Sequence, residues 1–237
     1  MEDERLMKRF YKQVATAARD GAWQVLLDGR GVKTVGGRMQ LVPTPALADA
    51  LAAEWAGQGE EIDPAGFILR DMADYAIDVV APDRAQVVRE LLPYGETDTL
   101  CYRAEAGDSL RREQDLMWEP LLAGVEARLG VRFERISGII HRPQPPETLA
   151  RLDEVLAGMD AFALAALRNL AGLAASLVIG LAALKPAAPA EELWTAANLE
   201  EDWQAERWGR DPEAEARRVR RREAFLAALR FAELARG

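Results

Sequence analysis

The side chains of this sequence that could do chemistry are mostly carboxylates. Between Glu191 and Gly209 the stretch EELWTAANLEEDWQAERWG sets Glu191, Glu192, Glu200, Glu201, Asp202 and Glu206 among three of the six tryptophans, Trp194, Trp203 and Trp208. Two carboxylates can act as general acid and general base when their surroundings push their pKa values apart; Glu200 and Glu201, with Asp98 or Asp78, are the candidates. The same pair among tryptophans can instead offer a charged hydrogen bond inside an apolar contact, an arrangement that anchors protein interfaces. A third role is structural, an ion pair between Glu200 and Arg207.

Other catalytic types are poorly supplied. With one cysteine, Cys101, the chain cannot form an internal disulfide or a cysteine-based zinc site, and one histidine, His141, leaves no base-and-orienter relay. Cys101, in LCYR, reads as a packed thiol, and His141, at the start of HRPQPP, as a surface residue. The glycines at 29, 31, 36 and 37 lack the length and the Lys-Ser/Thr of a phosphate loop, and read as hairpin turns. No metal, cofactor or catalytic residue is expected.

The 237 residues are 49% hydrophobic and 29% charged, the balance of a globular protein with ample core. A net charge of -9 argues against nucleic-acid binding, which needs a positive surface to displace counterions. One basic run, Arg217, Arg218, Arg220, Arg221 and Arg222, suits a solvated helix face paired with nearby glutamates better than an acidic docking partner. The opening Met-Glu-Asp-Glu has neither an apolar signal core nor a basic transit character, so a bacterial cytoplasm is the expected compartment. The longest apolar run, Leu170 to Leu184, falls short of the roughly 20 residues of a membrane span and reads as a buried central helix without membrane insertion.

The elements that position these residues follow from periodicity and caps. Residues 9 to 43 read as strands: Arg9 to Ala15, Trp23 to Asp28 with a turn at Gly29-Arg30-Gly31, then a hairpin of Val32 to Val35 and Arg38 to Val42 around Gly36-Gly37. Thr44-Pro45 starts a helix with Leu47, Ala48, Leu51, Ala52 and Trp55 on one face. Phe67 to Val80 is helical in its second half, with Met72, Tyr75, Ala76 and Val79 turned inward. A boundary near Ala81-Pro82 divides an N-terminal domain, 1–81, from a C-terminal domain, 82–237. Asp83 caps a helix to Leu92 that Pro93-Tyr94-Gly95 interrupts, and Asp108 caps one to Leu129 that Pro120 kinks and Gly130 closes. Val131 to Ile140 is a strand or extended arm. Thr148 to Ala157, Asp160 through Leu184, Glu191 to Gly209, and a last helix from Asp211-Pro212 carrying Val219, Phe225, Leu226, Leu229 and Leu234 complete the chain. On a helical wheel Leu193, Ala196, Ala197, Gln204 and Trp208 share an arc with Glu200, with Glu201 at its edge and Asp202 and Glu206 opposite. The fold class expected is α+β: a small N-terminal α+β domain, a twisted antiparallel sheet plus a helix, followed by a mainly α-helical bundle.

Read in order, several segments resemble the assembly chaperones for the α subunit of the ATP synthase catalytic sector, the Atp-twelve type. They include Arg9-Phe10-Tyr11-Lys12, Leu27-Asp28-Gly29-Arg30, Leu41-Val42-Pro43-Thr44, Glu54-Trp55-Ala56-Gly57-Gln58, Ala76-Ile77-Asp78, Cys101-Tyr102-Arg103 and Trp118-Glu119-Pro120. The series closes with Leu199-Glu200-Glu201-Asp202-Trp203-Gln204 and Arg207-Trp208-Gly209. Val35 stands where the family usually has proline, and residues 67–75 depart from its Met-Pro-Leu-Thr type segment. The resemblance implies a chaperone without chemistry that shields the α subunit's β-contacting surface until the complex forms. The family's critical acidic position maps onto Glu200 or Glu201, with Trp203, Gln204, Arg207 and Trp208 beside it as partner-binding candidates. The alternatives are a carboxylate enzyme, or a scaffold subunit that stays in its complex.

Overall fold

In a computed structural model that describes residues 7–138, 140–209 and 211–236, the chain is an α+β protein, with a small antiparallel sheet at its N-terminal end and helices through most of the remainder. The first strand, β1 (Val14–Arg19), pairs antiparallel with β2 (Ala22–Leu27), which pairs with the short β3 (Arg30–Gly31). The strand expected at Arg9 to Ala15 therefore lies further along the chain. Two Asp-Gly turns decide this: Asp20-Gly21 and Asp28-Gly29 all have positive φ, the backbone that two-residue hairpins require. Asp28 also accepts the Lys12 and Gln13 N–H groups, which holds the incoming chain along the sheet. The hairpin expected around Gly36-Gly37 is reduced to a Lys33–Met39 bridge and a tight loop closed by the Thr34 N–H on the Arg38 carbonyl at 2.8 Å. At Gly36 the Asp78 carboxylate takes the N–H at 2.8 Å and comes so close that a Cβ would lie 2.6 Å from it.

Helix α1 (Pro45–Ala56) begins as its sequence dictates, with the Thr44 hydroxyl accepting the Leu47 N–H at 3.1 Å and proline in the first turn. It covers the sheet with Leu47, Leu51 and Trp55, and Trp55 packs edge-on to Tyr11 and against Phe67. Helix α2 (Ile68–Tyr75) continues into a π turn, Ala76–Val80. The wider π turn carries Val79, expected inward, to solvent; before it, in α2, Asp74 is buried, held by the Gln40 side-chain amide and the Val35 N–H.

Helix α3 (Arg84–Glu96) runs straight through Pro93, correcting the interruption expected there. Pro93 is exposed, so water can serve the carbonyl that its missing N–H leaves. After a 3-10 turn, Thr99–Cys101, β4 (Tyr102–Arg103) pairs in parallel with β5 (Ile136–Ser137), across the long α4 (Ser109–Leu129). Pro120 sits within α4, and Gly130 closes it with φ 69°. Of the arm expected at Val131 to Ile140, only Ile136–Ser137 is strand, and Ile139 lies outside the described residues.

Then come α5 (Pro146–Ala157), α6 (Ala161–Ala174), α7 (Leu177–Ala183), α8 (Ala190–Ala197), α9 (Leu199–Trp208) and α10 (Pro212–Arg236). The apolar helix expected from Asp160 to Leu184 is thus two helices, broken where Ala175 takes φ 49° and Ser176 caps α7. Asp98 makes the break. Its fully buried carboxylate accepts the Leu100 N–H at 3.0 Å and the Val178 N–H at 2.9 Å, and takes the Ser176 hydroxyl as a further donor. Thr99 secures the other side through the Ala175 carbonyl. α6 is the central element, packed against α10, α7, α3 and α2. The last helix reaches back to the first, where the Thr44 hydroxyl donates to the Leu234 carbonyl at 2.5 Å. No described helix is long and apolar enough to cross a membrane.

Asp98→Ala leaves two buried N–H groups and a hydroxyl without their acceptor, and is expected to cost about 3 kcal/mol or more, read as a lowered urea midpoint. Burial pushes the Asp98 carboxyl up to about 6, against the donors that lower it. The folded chain then holds this proton more tightly than the unfolded chain. Asp98's share of stability is therefore fullest below its ordinary carboxylate range and lost as pH rises through about 6. The difference in urea midpoint between wild type and Asp98→Asn should accordingly shrink from about pH 4 to 7, and a constant difference contradicts the assignment.

Candidate functional site

The sequence brings its candidate residues to α9, and the fold lodges that helix between α4 and α10. α8 and α9 are separate helices, not the single one expected. Asn198 ends α8, its backbone N–H reaching the Trp194 and Thr195 carbonyls and its side-chain amide the Trp194 carbonyl at 2.8 Å. Asn198, at φ -113° and ψ 14°, breaks the helical periodicity between α8 and α9, so the wheel drawn through both fails. Leu193 and Ala196 are buried, but Gln204 is exposed and Trp208 leaves 79% of its surface in solvent.

The three acidic residues in the first turn of α9 reach two other helices, Glu200 to α4 and Glu201 and Asp202 to α10. Glu200 is half-buried and accepts the Gln114 side-chain amide of α4 at 2.6 Å, in place of the expected pair with Arg207. Gln114 is itself fully buried, and its carbonyl oxygen accepts the Ala104 N–H at 2.8 Å, so one amide ties α9 through α4 to the segment after β4. Glu201 is exposed and pairs with Arg221 of α10 at 3.3 Å. Asp202, expected on the outer side, pairs with Arg218 at 2.7 Å with both side chains about a fifth exposed. The half-buried Trp203 lies under the Arg207 guanidinium, 4.2 Å from the ring centroid, and Arg207 also donates to the Ser109 hydroxyl at 3.3 Å.

The arginine run on α10 is a paired face. Arg217 meets Glu213 on its own helix, but Arg218, Arg221 and Arg222 reach Asp202, Glu201 and Glu191 on α9 and α8. Arg221 also donates to the Leu173 carbonyl of α6, and its guanidinium lies 5.8 Å from the Trp194 ring centroid.

The acid-base constellation is not assembled. Asp78 is bound to Thr34 and Gly36 beside the sheet, Asp98 to the N-terminus of α7, and Glu200 to Gln114. Cys101 is buried, and burial, reinforced by the charge of Asp98, pushes its thiol far up, which makes it a poor nucleophile. His141 is exposed beside the Tyr102 hydroxyl. Among the described residues no group of three His, Cys, Asp or Glu could hold a metal ion.

Two open features escaped the linear reading. A groove of about 570 Å3 lies beside the sheet, with Phe10, Val35 and Arg70 at its wall. A second, of about 510 Å3, separates α4 from α8. Its signal was present in the sequence as a second apolar stripe on α4, Leu116, Met117, Pro120 and Leu121, beside the buried stripe Trp118, Leu122 and Val125.

A small N-terminal sheet followed by a mostly helical body is the architecture that Atp12 chaperone structures share with this chain. The chain aligns over 97% of its length, and 98% of the other, with the crystal structure of Atp12 from Paracoccus denitrificans, at a TM-score of 0.92 and 39% identity. An aspartate-to-lysine mutant of that protein matches equally well. The Atu1473 protein of Agrobacterium tumefaciens aligns with a TM-score of 0.89 and 37% identity over 95% of this chain and 85% of that one. The mitochondrial protein atp12 of Schizosaccharomyces pombe is 28% identical over 214 residues, 85% of this chain and 74% of that protein. The chain belongs to the ATP12 chaperone protein family, whose model matches residues 8–126.

Glu200 and Glu201 should separate on substitution. Glu200→Ala strands a buried amide donor and is expected to cost about 1–3 kcal/mol, with Glu200→Gln recovering most of it. Glu201→Ala breaks only an exposed pair and should change stability by less than about 1 kcal/mol. Urea midpoints of the three variants provide the check, and equal losses at both positions contradict this division.

Proposed function

We propose that this chain is an assembly chaperone that binds the unassembled α subunit of the ATP synthase catalytic sector and shields its β-contacting surface until the complex forms. It acts by binding, without chemistry or cofactor, in the bacterial cytoplasm. Glu200, Glu201, Trp203, Gln204, Arg207 and Trp208 form part of the contact. The observation that carries this is Trp208: a large aromatic side chain left 79% exposed at the end of a helix whose first-turn carboxylates are held by α4 and α10. Exposed tryptophan on a fixed support is the side chain that interfaces use as an anchor, because it buries much apolar area while losing little rotamer freedom. Family membership supports the chaperone class.

The roles divide by burial. Glu200 positions α9 through Gln114, whereas Glu201, whose pair with Arg221 is solvent-exposed and weak, can exchange that partner for a cation of the client. Gln204 and Trp208 meet the client directly.

Co-expression with the α subunit in the absence of β, followed by size-exclusion chromatography, tests the proposal. The α subunit is expected to stay soluble, co-elute with this chain, and leave when β is added. Trp208→Ala should weaken the complex about tenfold or more, and Glu201→Lys should weaken it with the fold retained by circular dichroism. An α subunit that aggregates while this chain elutes alone overturns the choice of client; full binding by both variants overturns the contact face.

A further inference from the structure

Helix α4 has two apolar faces; one is buried in full, and the other only in part, through Met117 and Leu121 packed half-buried against the core. Trp118, Leu122 and Val125 enter the core. Leu116, Met117, Pro120 and Leu121 instead form one wall of the 510 Å3 groove, with Leu193 and Ala196 of α8 on the other. Leu116 leaves 69% of its surface exposed. Leu116 is continuous with Pro120, Leu121 and Met117 along the groove, and a contiguous apolar patch of this kind marks a contact site, since burying a leucine side chain contributes about 1.5–3 kcal/mol. Three glutamates line the groove; Glu191 is already paired with Arg222, which leaves Glu113 and Glu192 as its open charges, and no lysine or arginine lines it. Pro120 adds an acceptor, because without an N–H it cannot serve the Leu116 carbonyl one turn before it.

We propose that this groove docks an amphipathic segment of the client, its apolar side chains against the α4–α8 floor and its Lys or Arg flanks against the glutamates. The inference rests on the chaperone function above and assigns a second contact to it. A trough between two helices, apolar at its base, fits an amphipathic helix laid along it. The charge selects a basic segment, and the net charge of -9 draws such a segment in. A second copy of this chain is a poor occupant: of the arginine run on its basic helix, four of five, Arg217, Arg218, Arg221 and Arg222, are already paired with carboxylates. The groove adjoins the α9 contact, since Gln114, which holds Glu200, follows Glu113 on α4, and the Ala196 carbonyl at the groove accepts the Trp118 indole N–H at 2.8 Å.

The test uses the full chain, two variants, Leu116→Lys and the pair Glu113→Lys with Glu192→Lys, and two probes. The first probe is a synthetic helical peptide of roughly 18 residues with leucine on one face and lysine flanks, alongside the same peptide with glutamate flanks. The second is the co-expressed α subunit. Wild type is expected to bind the lysine peptide at least about tenfold tighter than either variant does, and than it binds the glutamate peptide. The variants should also recover less α subunit, with unchanged urea midpoints. If wild type and variants bind the lysine peptide equally, the groove assignment fails whether or not the α subunit binds. If the peptide discriminates but the α subunit is not held, the groove stands and the choice of client fails. A wild-type dimer in size-exclusion chromatography that Leu116→Lys dissolves makes the groove a self-interface and overturns the proposal.

Discussion

Much of this fold hangs on one buried carboxylate. Asp98 stands at the end of the segment after α3, where it receives the Val178 N–H at the start of α7, the Leu100 N–H of its own turn and the Ser176 hydroxyl. A carboxylate out of water is costly unless several donors serve it, and here the donors come from two parts of the chain 80 residues apart. The site therefore exists only when both parts are in place. It stops α6 at Ala174 and restarts the chain as α7, which packs back along α6, with Gly180 so close to Leu167 that a Cβ would lie 2.7 Å from it. The central helix pair is thus fixed from the side, by a residue outside both helices.

The outer helices are held by charge instead. α10 crosses the molecule with its apolar face, Phe225, Ala228, Leu229 and Phe231, against α6, while its arginines reach α8 and α9. Surface pairs of this kind add little stability one at a time, but they fix the register and tilt of a short helix whose one buried residue is Leu199. α9 is consequently well oriented yet weakly anchored. Such a helix presents Trp208 at a defined place.

Those two regimes suit a protein that must hold another and let it go. The interior, with a single core continuous from the sheet to α10, is the rigid support. The face built from α4, α8 and α9 carries exposed Leu116 and Trp208 and the carboxylates Glu113, Glu192 and Glu201. Under the proposed function, a client bound there would draw on apolar area for affinity and on exposed charge for orientation and rate, with no need for the core to move.

The sequence by itself determined what depends on neighbours along the chain. Thr44-Pro45 started α1, Asp108 and Gly130 bounded α4, Asp160 capped α6, and single Cys and His residues left no relay, because a cap or a turn is decided within about four residues. The α+β class and the acidic, tryptophan-bearing segment were legible for the same reason. Local signals were also present for the two Asp-Gly hairpins, whose positive φ set the true strand register, and for the second stripe on α4. Tertiary structure alone decided the breaks at Ala175 and Asn198, the burial of Asp74, and the partners of Glu200, Glu201 and Asp202. No glycine or proline marks residues 173–179; the break there comes from Asp98, far away in sequence. Once Asn198 broke the helix, which side chains faced water became a property of α4 and α10, and a periodicity drawn through one uninterrupted helix had no means of showing it.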